Sequence, residues 1–207
     1  MLERFRAFWT KVLSPIAHLF IRLGISADAV TLVGTIGVCV GALAFYPQGH
    51  RLGGTIFITC FVFSDLIDGH MSRLTGTTSK FGAFLDSTLD RIGDGAIFGG
   101  LALYFAGPGD SRLYTWLALV CLVMGSVTSY ARARAEGLGF QAKVGIAERS
   151  DRLVSILVMT GFAGIFDLDW LIYVTLWALA AASTITVGQR IWVVRQQALA
   201  EAAGAGS

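Results

Sequence analysis

Six apolar stretches, near residues 30–46, 53–64, 92–106, 113–131, 153–166 and 169–189, run through this chain between glycines, prolines and charged residues. Crossing a bilayer takes about 20 mostly apolar residues in a helix. Several of the stretches reach that length only if their polar flanks continue the helix, so 53–74 and 85–106 are taken as whole spans. Backbone groups in lipid must be bonded within the chain, which restricts such spans to helices or a closed barrel. The expected fold is therefore an all-α integral membrane protein with six transmembrane helices. Composition agrees: 14% of residues are charged and 55% hydrophobic, with a mean hydropathy of +0.67, whereas soluble domains carry roughly 25% charged residues. The loops are too short for a separate soluble domain, so residues 24–195 form one membrane domain. The 25 glycines of the chain suit close helix packing.

Residues 1–23 carry Phe5, Phe8, Trp9, Leu13, Ile16, Leu19 and Phe20 at helical spacing, with Arg4, Lys11 and Arg22 among them. This pattern predicts an amphipathic interfacial helix on the membrane surface; an ordinary solvated helix is the alternative. Residues 196–207 are rich in Ala and Gly and are expected to form a flexible tail. With the N-terminus cytoplasmic, only Arg51 and Arg112 of the sixteen Lys and Arg residues fall on the opposite side. That bias predicts a multi-pass protein of the cell membrane with its polar residues facing the cytoplasm. Cys39, Cys60 and Cys121 lie singly in apolar spans and read as core thiols; His70 reads as a helix-surface histidine. No nucleic-acid-binding signature is present.

Four carboxylates interrupt this apolar background: Asp65 and Asp68, then Asp86 and Asp90. At 3.6 residues per turn the first pair lies about 60° apart around a helix and the second about 40° apart, so each pair projects from one face. Ionised groups at membrane depth are expensive and mark function. An all-carboxylate set without His or Cys suits hard divalent cations, Mg²⁺ or Mn²⁺. Gly69 and Gly82 leave the backbone open to close approach by phosphates, and Arg73 offers a forked contact to them. Two other readings compete. The carboxylates could merely neutralise Arg73 and Arg91, or they could line an ion pathway in a transporter, although transporter sites usually lie at the bilayer midplane between repeated halves.

The run Asp65-Leu66-Ile67-Asp68-Gly69-His70-Met71-Ser72-Arg73, followed after eight residues by Gly82-Ala83-Phe84-Leu85-Asp86-Ser87-Thr88-Leu89-Asp90, resembles the signature of the CDP-alcohol phosphotransferases. Seven of the eight fixed positions match; Ser72 stands where the family usually has Ala. The resemblance implies a two-metal phosphotransferase using CDP-diacylglycerol. Asp65, Asp68, Asp86 and Asp90 would be its metal ligands and Asp90 also its general base, with Gly69, Arg73 and Gly82 at the donor. The segment Ile25-Ser26-Ala27-Asp28-Ala29-Val30-Thr31 is similar to the family's stretch near the nucleotide, which makes Thr31 a candidate cytidine contact. It reads equally well as a plain capped helix start. Family members are mostly dimers, so a homodimer is expected. Gly34, Gly37 and Gly41 could serve a helix interface or pack within one subunit.

The acceptor alcohol is read elsewhere. Residues 129–152 are the densest basic segment, and Arg132, Arg152 and Arg190 come from three helix ends that could converge beside the aspartates, with Ser129 nearby. Three cations exceed what a neutral alcohol needs and suit an acceptor that already carries phosphate. The runs from Ser129 to Gly137 and from Gly145 to Arg152 resemble the actinobacterial branch of the family that transfers to inositol 1-phosphate. Glycerol 3-phosphate is the alternative acceptor. Arg134, Arg149 and Arg195 read as anchors of the cytoplasmic face.

Overall fold

The structure is a computed structural model that describes residues 14–76 and 79–204, the side chains of Asp65 and Leu66 excepted. Apart from its turns and the irregular segment 137–148 the described chain is helical. The first helix, α1, is described over residues 14–22. Then follow α2 (Ala27–Phe45), a 3₁₀ turn (Tyr46–Gln48), α3 (Arg51–Val62), α4 (Ser64–Thr75), α5 (Lys80–Ala106), α6 (Arg112–Glu136), α7 (Arg149–Phe166) and α8 (Trp170–Gly204). Most of the proposed interfacial helix, residues 1–13, lies outside the described residues.

Four helical stretches, 27–48, 51–75, 112–136 and 170–204, are long and apolar enough to cross a membrane. α5 and α7 fall short of that standard because aspartates and arginines occupy the turns nearest the site. Both nevertheless supply the same buried core as the other helices, through Phe98, Leu101 and Phe105 on α5 and Ile156 and Leu157 on α7. The outside of the bundle is apolar as well. Val33, Ile36, Val40 and Leu43 form an exposed stripe on α2, and Trp116, Val123, Val174 and Trp177 are exposed on α6 and α8. Water would not tolerate a surface of this kind in a monomer, whereas lipid covers it at no cost.

Small residues bring the helices together. A Cβ at Gly34 would strike Ser64, one at Gly37 the ring of Phe61, and one at Gly41 would lie 2.8 Å from Ile58 and Phe57. These three glycines therefore pack α2 against the α3–α4 segment of the same chain. α3 and α4 are almost one helix, broken at Phe63 (φ −65°, ψ −15°). Around the break the Ser64 hydroxyl donates to the Phe61 carbonyl and that of Thr59 to the Thr55 carbonyl, a side-chain competition that bends helices. α4 then ends at Gly76, whose φ of +65° suits glycine.

The two ends of the bundle differ in charge. At one end Arg51 bonds Asp167 at 3.1 Å, pairs with Asp169 and stacks over Tyr104, tying α3 to the α7–α8 turn and to α5. Arg112 begins α6 at that same end. The chain's other described Lys and Arg residues belong to the opposite end, with the aspartates. Two expectations are corrected. α8 continues as helix through residues 196–204, because Gln, Ala and Glu are good helix formers and Gln197 exchanges hydrogen bonds with the Gln141 backbone. His70 is buried, its Nε2 2.9 Å from the Ser14 hydroxyl of α1.

At the α2–α5 crossing a Cβ on Gly100 would run into the Ala42 carbonyl, whereas one on the adjacent Gly99 would only touch Leu122 at 3.9 Å. Gly100→Ala should therefore cost about 1–3 kcal/mol through forced separation of the two backbones, while Gly99→Ala should be neutral or slightly stabilising. Thermal unfolding of detergent-purified protein followed by size-exclusion chromatography measures the difference. Equal melting temperatures for the two variants would contradict the packing described.

Candidate active site

α2 lies against both aspartate-bearing helices and supplies the first support for the motif. The Ser26 side chain caps α2 by accepting from the Ala29 N–H, and one turn later Thr31 reaches α4. Its hydroxyl donates to Asp68 Oδ2 at 2.5 Å and also lies 3.1 Å from the Ala27 carbonyl. Asp68 is buried, at 7% exposure, where an unsupported carboxylate would be costly; Thr31 fixes the direction of one of its oxygens. A further turn along α2, Thr35 borders a void of about 20 Å³ together with Asp90 and Gly93 of α5, room for about one water.

Ser79 caps α5, accepting from the Gly82 N–H at 2.8 Å. Gly82 thereby sits in the first turn, and a Cβ there would lie 3.5 Å from Asp28 Oδ1 of α2. On α4 the Arg73 guanidinium folds back one turn over Gly69, 3.7 Å from where a Cβ would be. Asp86 is exposed, and Asp90 is partly covered, its side chain 18% accessible. Among the described residues no three metal-ligating side chains gather into one cluster; the side chain of Asp65 lies outside that description. The donor set nevertheless fits a hard divalent cation. It consists of carboxylates on two helices that share α2 as a neighbour, one of them oriented by a hydroxyl donor in the way that supporting residues orient metal ligands. His70, the one nitrogen donor inside the motif, is directed to α1 instead.

On the other side of α5 a cleft of about 500 Å³ opens between α5, α6, α7 and α8. Ser129, Arg132, Arg152 and Arg190, singled out from the sequence, all line it, together with Ser87, Arg91, Arg149 and Glu148. Their states differ. Arg152 is 1% exposed and donates to the carbonyls of Ala147 and Gly125. Arg190 is 5% exposed and donates to the carbonyls of Val144 and Thr128. Each guanidinium has five N–H groups, more than these contacts use; those of Arg190 hold Val144 against α8 and those of Arg152 tie the start of α7 to α6. Thr186 assists by accepting from the backbone N–H groups of Ile146 and Ala147. Arg132 is the open member, with its side chain 41% accessible and Glu136 at 2.9 Å.

Sequence reasoning missed the charge network between motif and cleft. Asp94, one turn beyond Asp90, lies 3.0 Å from Arg149, 3.6 Å from Arg91 and 3.7 Å from Arg152. Arg149, read as a surface anchor, instead places Nη1 2.8 Å from Asp90. The signal was available: Asp86, Asp90 and Asp94 recur every four residues and so follow one face of α5.

Comparison with known proteins places this geometry in a family. The family model for CDP-alcohol phosphatidyltransferases matches residues 25–187. Phosphatidylinositol phosphate synthases of Streptomyces avermitilis and Cutibacterium acnes are 51% and 50% identical over 204 residues, covering 95% of this chain and 84% and 98% of those proteins. A crystal structure of the Mycobacterium tuberculosis phosphatidylinositol phosphate synthase with CDP-DAG bound superposes with a TM-score of 0.85 at 38% identity, covering 89% of this chain and 94% of that one. A second structure of that protein, in complex with manganese and citrate, gives a TM-score of 0.83. The chain belongs to the CDP-alcohol phosphatidyltransferase family and is a phosphatidyltransferase.

The Thr31–Asp68 hydrogen bond yields a direct test. Thr31→Val keeps the shape but removes the donor, and loss of a support of this kind typically weakens a metal site about 10–100-fold. Calorimetric titration with Mn²⁺ should show a loss at the lower end of that range, with Thr31→Ser near wild type. Unchanged Mn²⁺ affinity in Thr31→Val would contradict the supporting role given to the Thr31 hydroxyl.

Proposed function

We propose that this protein transfers the phosphatidyl group of CDP-diacylglycerol to inositol 1-phosphate, yielding phosphatidylinositol phosphate and CMP. The observation that carries the acceptor assignment is the arginine-lined cleft on α5, one helix face away from the aspartate motif. Arg132, Arg152 and Arg190, with Ser129, bind the phosphate of the acceptor there. The names of the relatives support the same reading. Glycerol 3-phosphate carries the same charged handle and is the acceptor to be tested beside it.

Asp65, Asp68, Asp86 and Asp90 would hold the divalent cations, two Mg²⁺ per site with Mn²⁺ able to replace them. When bound, these ions neutralise the donor pyrophosphate and polarise the phosphorus under attack. The chain's own groups do the rest. Arg73 forks onto a donor phosphate, and Gly69 and Gly82 let the nucleotide lie against the helices, with Thr31 beside the cytidine. Asp90 accepts the proton of the acceptor hydroxyl as the new oxygen–phosphorus bond forms and the pyrophosphate bond breaks, releasing CMP. The exposed apolar belt keeps the site at the membrane surface, where the acyl chains of the donor remain in lipid. We infer six spans, with α5 and α7 crossing beside the four fully apolar helices, residues 1–23 as an interfacial arm, and the motif facing the cytoplasm. The protein works as a homodimer in the cell membrane.

CMP release from CDP-diacylglycerol should occur with inositol 1-phosphate and Mg²⁺, and fall away with free inositol. Arg132→Ala should raise the KM for inositol 1-phosphate about tenfold and leave that for the donor unchanged, since a charged hydrogen bond is worth about 1.5–3 kcal/mol. Arg152→Ala and Arg190→Ala should also lower the melting temperature, because those side chains hold backbone carbonyls. Equal turnover of free inositol, or preference for glycerol 3-phosphate, would overturn the acceptor assignment.

A further inference from the structure

Arg149 belongs to both halves of the site. Its Nη1 is 2.8 Å from Asp90 Oδ1, its Nε is 3.0 Å from Asp94 Oδ1, and it lines the basic cleft. As the first residue of α7 it sits at the positive end of the helix dipole, the unfavourable end for a cation. The two carboxylates, rather than the helix, account for its place. The backbone beneath it is fixed. Glu148 and Asp151 close a capping box around the helix start, and Thr186 and Arg190 tie the preceding residues to α8. The guanidinium is more accessible, its side chain 29% exposed. Asp94 is a steadier post, 11% exposed and flanked by Arg91 and Arg152.

We propose that Arg149 couples cation binding at the aspartates to acceptor binding in the cleft, turning on Asp94, which acts as a positioning residue. The proposal rests on the function assigned above. In the structure Arg149 is a counter-ion of Asp90. An ion taken up by the aspartates competes for that carboxylate and repels the guanidinium. Asp94 remains its carboxylate partner, and the planar guanidinium pivots as a whole about that contact, turning its Nη groups toward the cleft beside Arg132 and Arg152. The coupling is reciprocal: a phosphate in the cleft draws Arg149 off Asp90 and tightens the ion by the same factor.

Mn²⁺ binding to the purified full-length protein, followed by electron paramagnetic resonance without CDP-diacylglycerol and with or without inositol 1-phosphate, tests this. In the wild type, inositol 1-phosphate should tighten Mn²⁺ about five- to tenfold, within the usual range of coupling between sites. Arg149→Gln should bind Mn²⁺ alone several-fold more tightly than wild type and gain nothing further from the acceptor. Asp94→Asn should do the opposite, binding Mn²⁺ alone more weakly because Arg149 is left wholly on Asp90; a merely structural role would not give effects of opposite sign. Mn²⁺ affinity in Arg149→Gln at or below the wild-type value, or tightening by the acceptor as large as in wild type, would overturn the proposal. Wild-type protein that binds Mn²⁺ and inositol 1-phosphate without mutual effect would sink the coupling and leave the acceptor assignment standing. Failure to bind inositol 1-phosphate at all would sink both.

Discussion

The Asp94 carboxylate and the arginines around it, Arg91, Arg149 and Arg152, decide how charge is distributed at one end of an otherwise apolar bundle. A guanidinium as buried as Arg152, at 1% exposure, would be untenable without a compensating charge and acceptors for its N–H groups. Removing one partner of such a pair costs about 3–5 kcal/mol. Asp94 supplies the charge, and the carbonyls of Gly125 and Ala147 supply the acceptors. Through Arg152 the start of α7 is held against α6. Through Arg190 and Thr186 the segment before it is held against α8. The cleft exists because these ties hold four helix segments around a common basic surface, and α5 carries the aspartate motif on the wall they share.

Packing and chemistry separate along the length of the bundle. In the apolar half, glycines on α2 admit Ser64, Phe61 and Ile58, and the stacked rings of Tyr114 and Tyr173, 3.8 Å apart, join α6 to α8. In the polar half a small apolar cluster of Ala17, Val30 and Met71 joins α1, α2 and α4, and hydroxyls, carbonyls and ion pairs set the remaining elements. The break at Phe63 lies between the two regimes and redirects α4, so the residues that depart from ideal helix geometry are those that lead into the motif. Arg51, with Asp167, Asp169 and Tyr104, closes the far end, and most of the described arginines gather at the site end.

Much of this was legible in the chain. The i,i+3 and i,i+4 spacing of Asp65, Asp68, Asp86 and Asp90 follows from helix periodicity alone, as does the capped start of α2 at Ser26. The convergence of Arg132, Arg152 and Arg190 on one cleft was also foreseeable, because successive antiparallel spans bring the end of α6, the start of α7 and the far part of α8 to the same side. Pairings between distant residues were not legible. Nothing in the local pattern says that Thr31 would donate to Asp68 rather than stay a free hydroxyl, or that His70 would turn to Ser14. Arg149 looked like a surface anchor because its partners, Asp90 and Asp94, lie more than fifty residues earlier on another helix. The six apolar stretches overstated what composition alone supports for α5 and α7, whose polar first turns serve the site rather than lipid.

One divalent-cation site formed by the carboxylates of α4 and α5, supported by α2 and adjoining the arginine cleft, is what the proposed function requires. Diffraction from crystals grown with Mn²⁺, collected at the manganese absorption edge, tests it most directly. Anomalous density is expected between α4 and α5, within bonding distance of Asp68 and Asp86 and bordered by Asp65 and Asp90. Anomalous density confined to other carboxylates, with α4 and α5 ordered and bare, would contradict it.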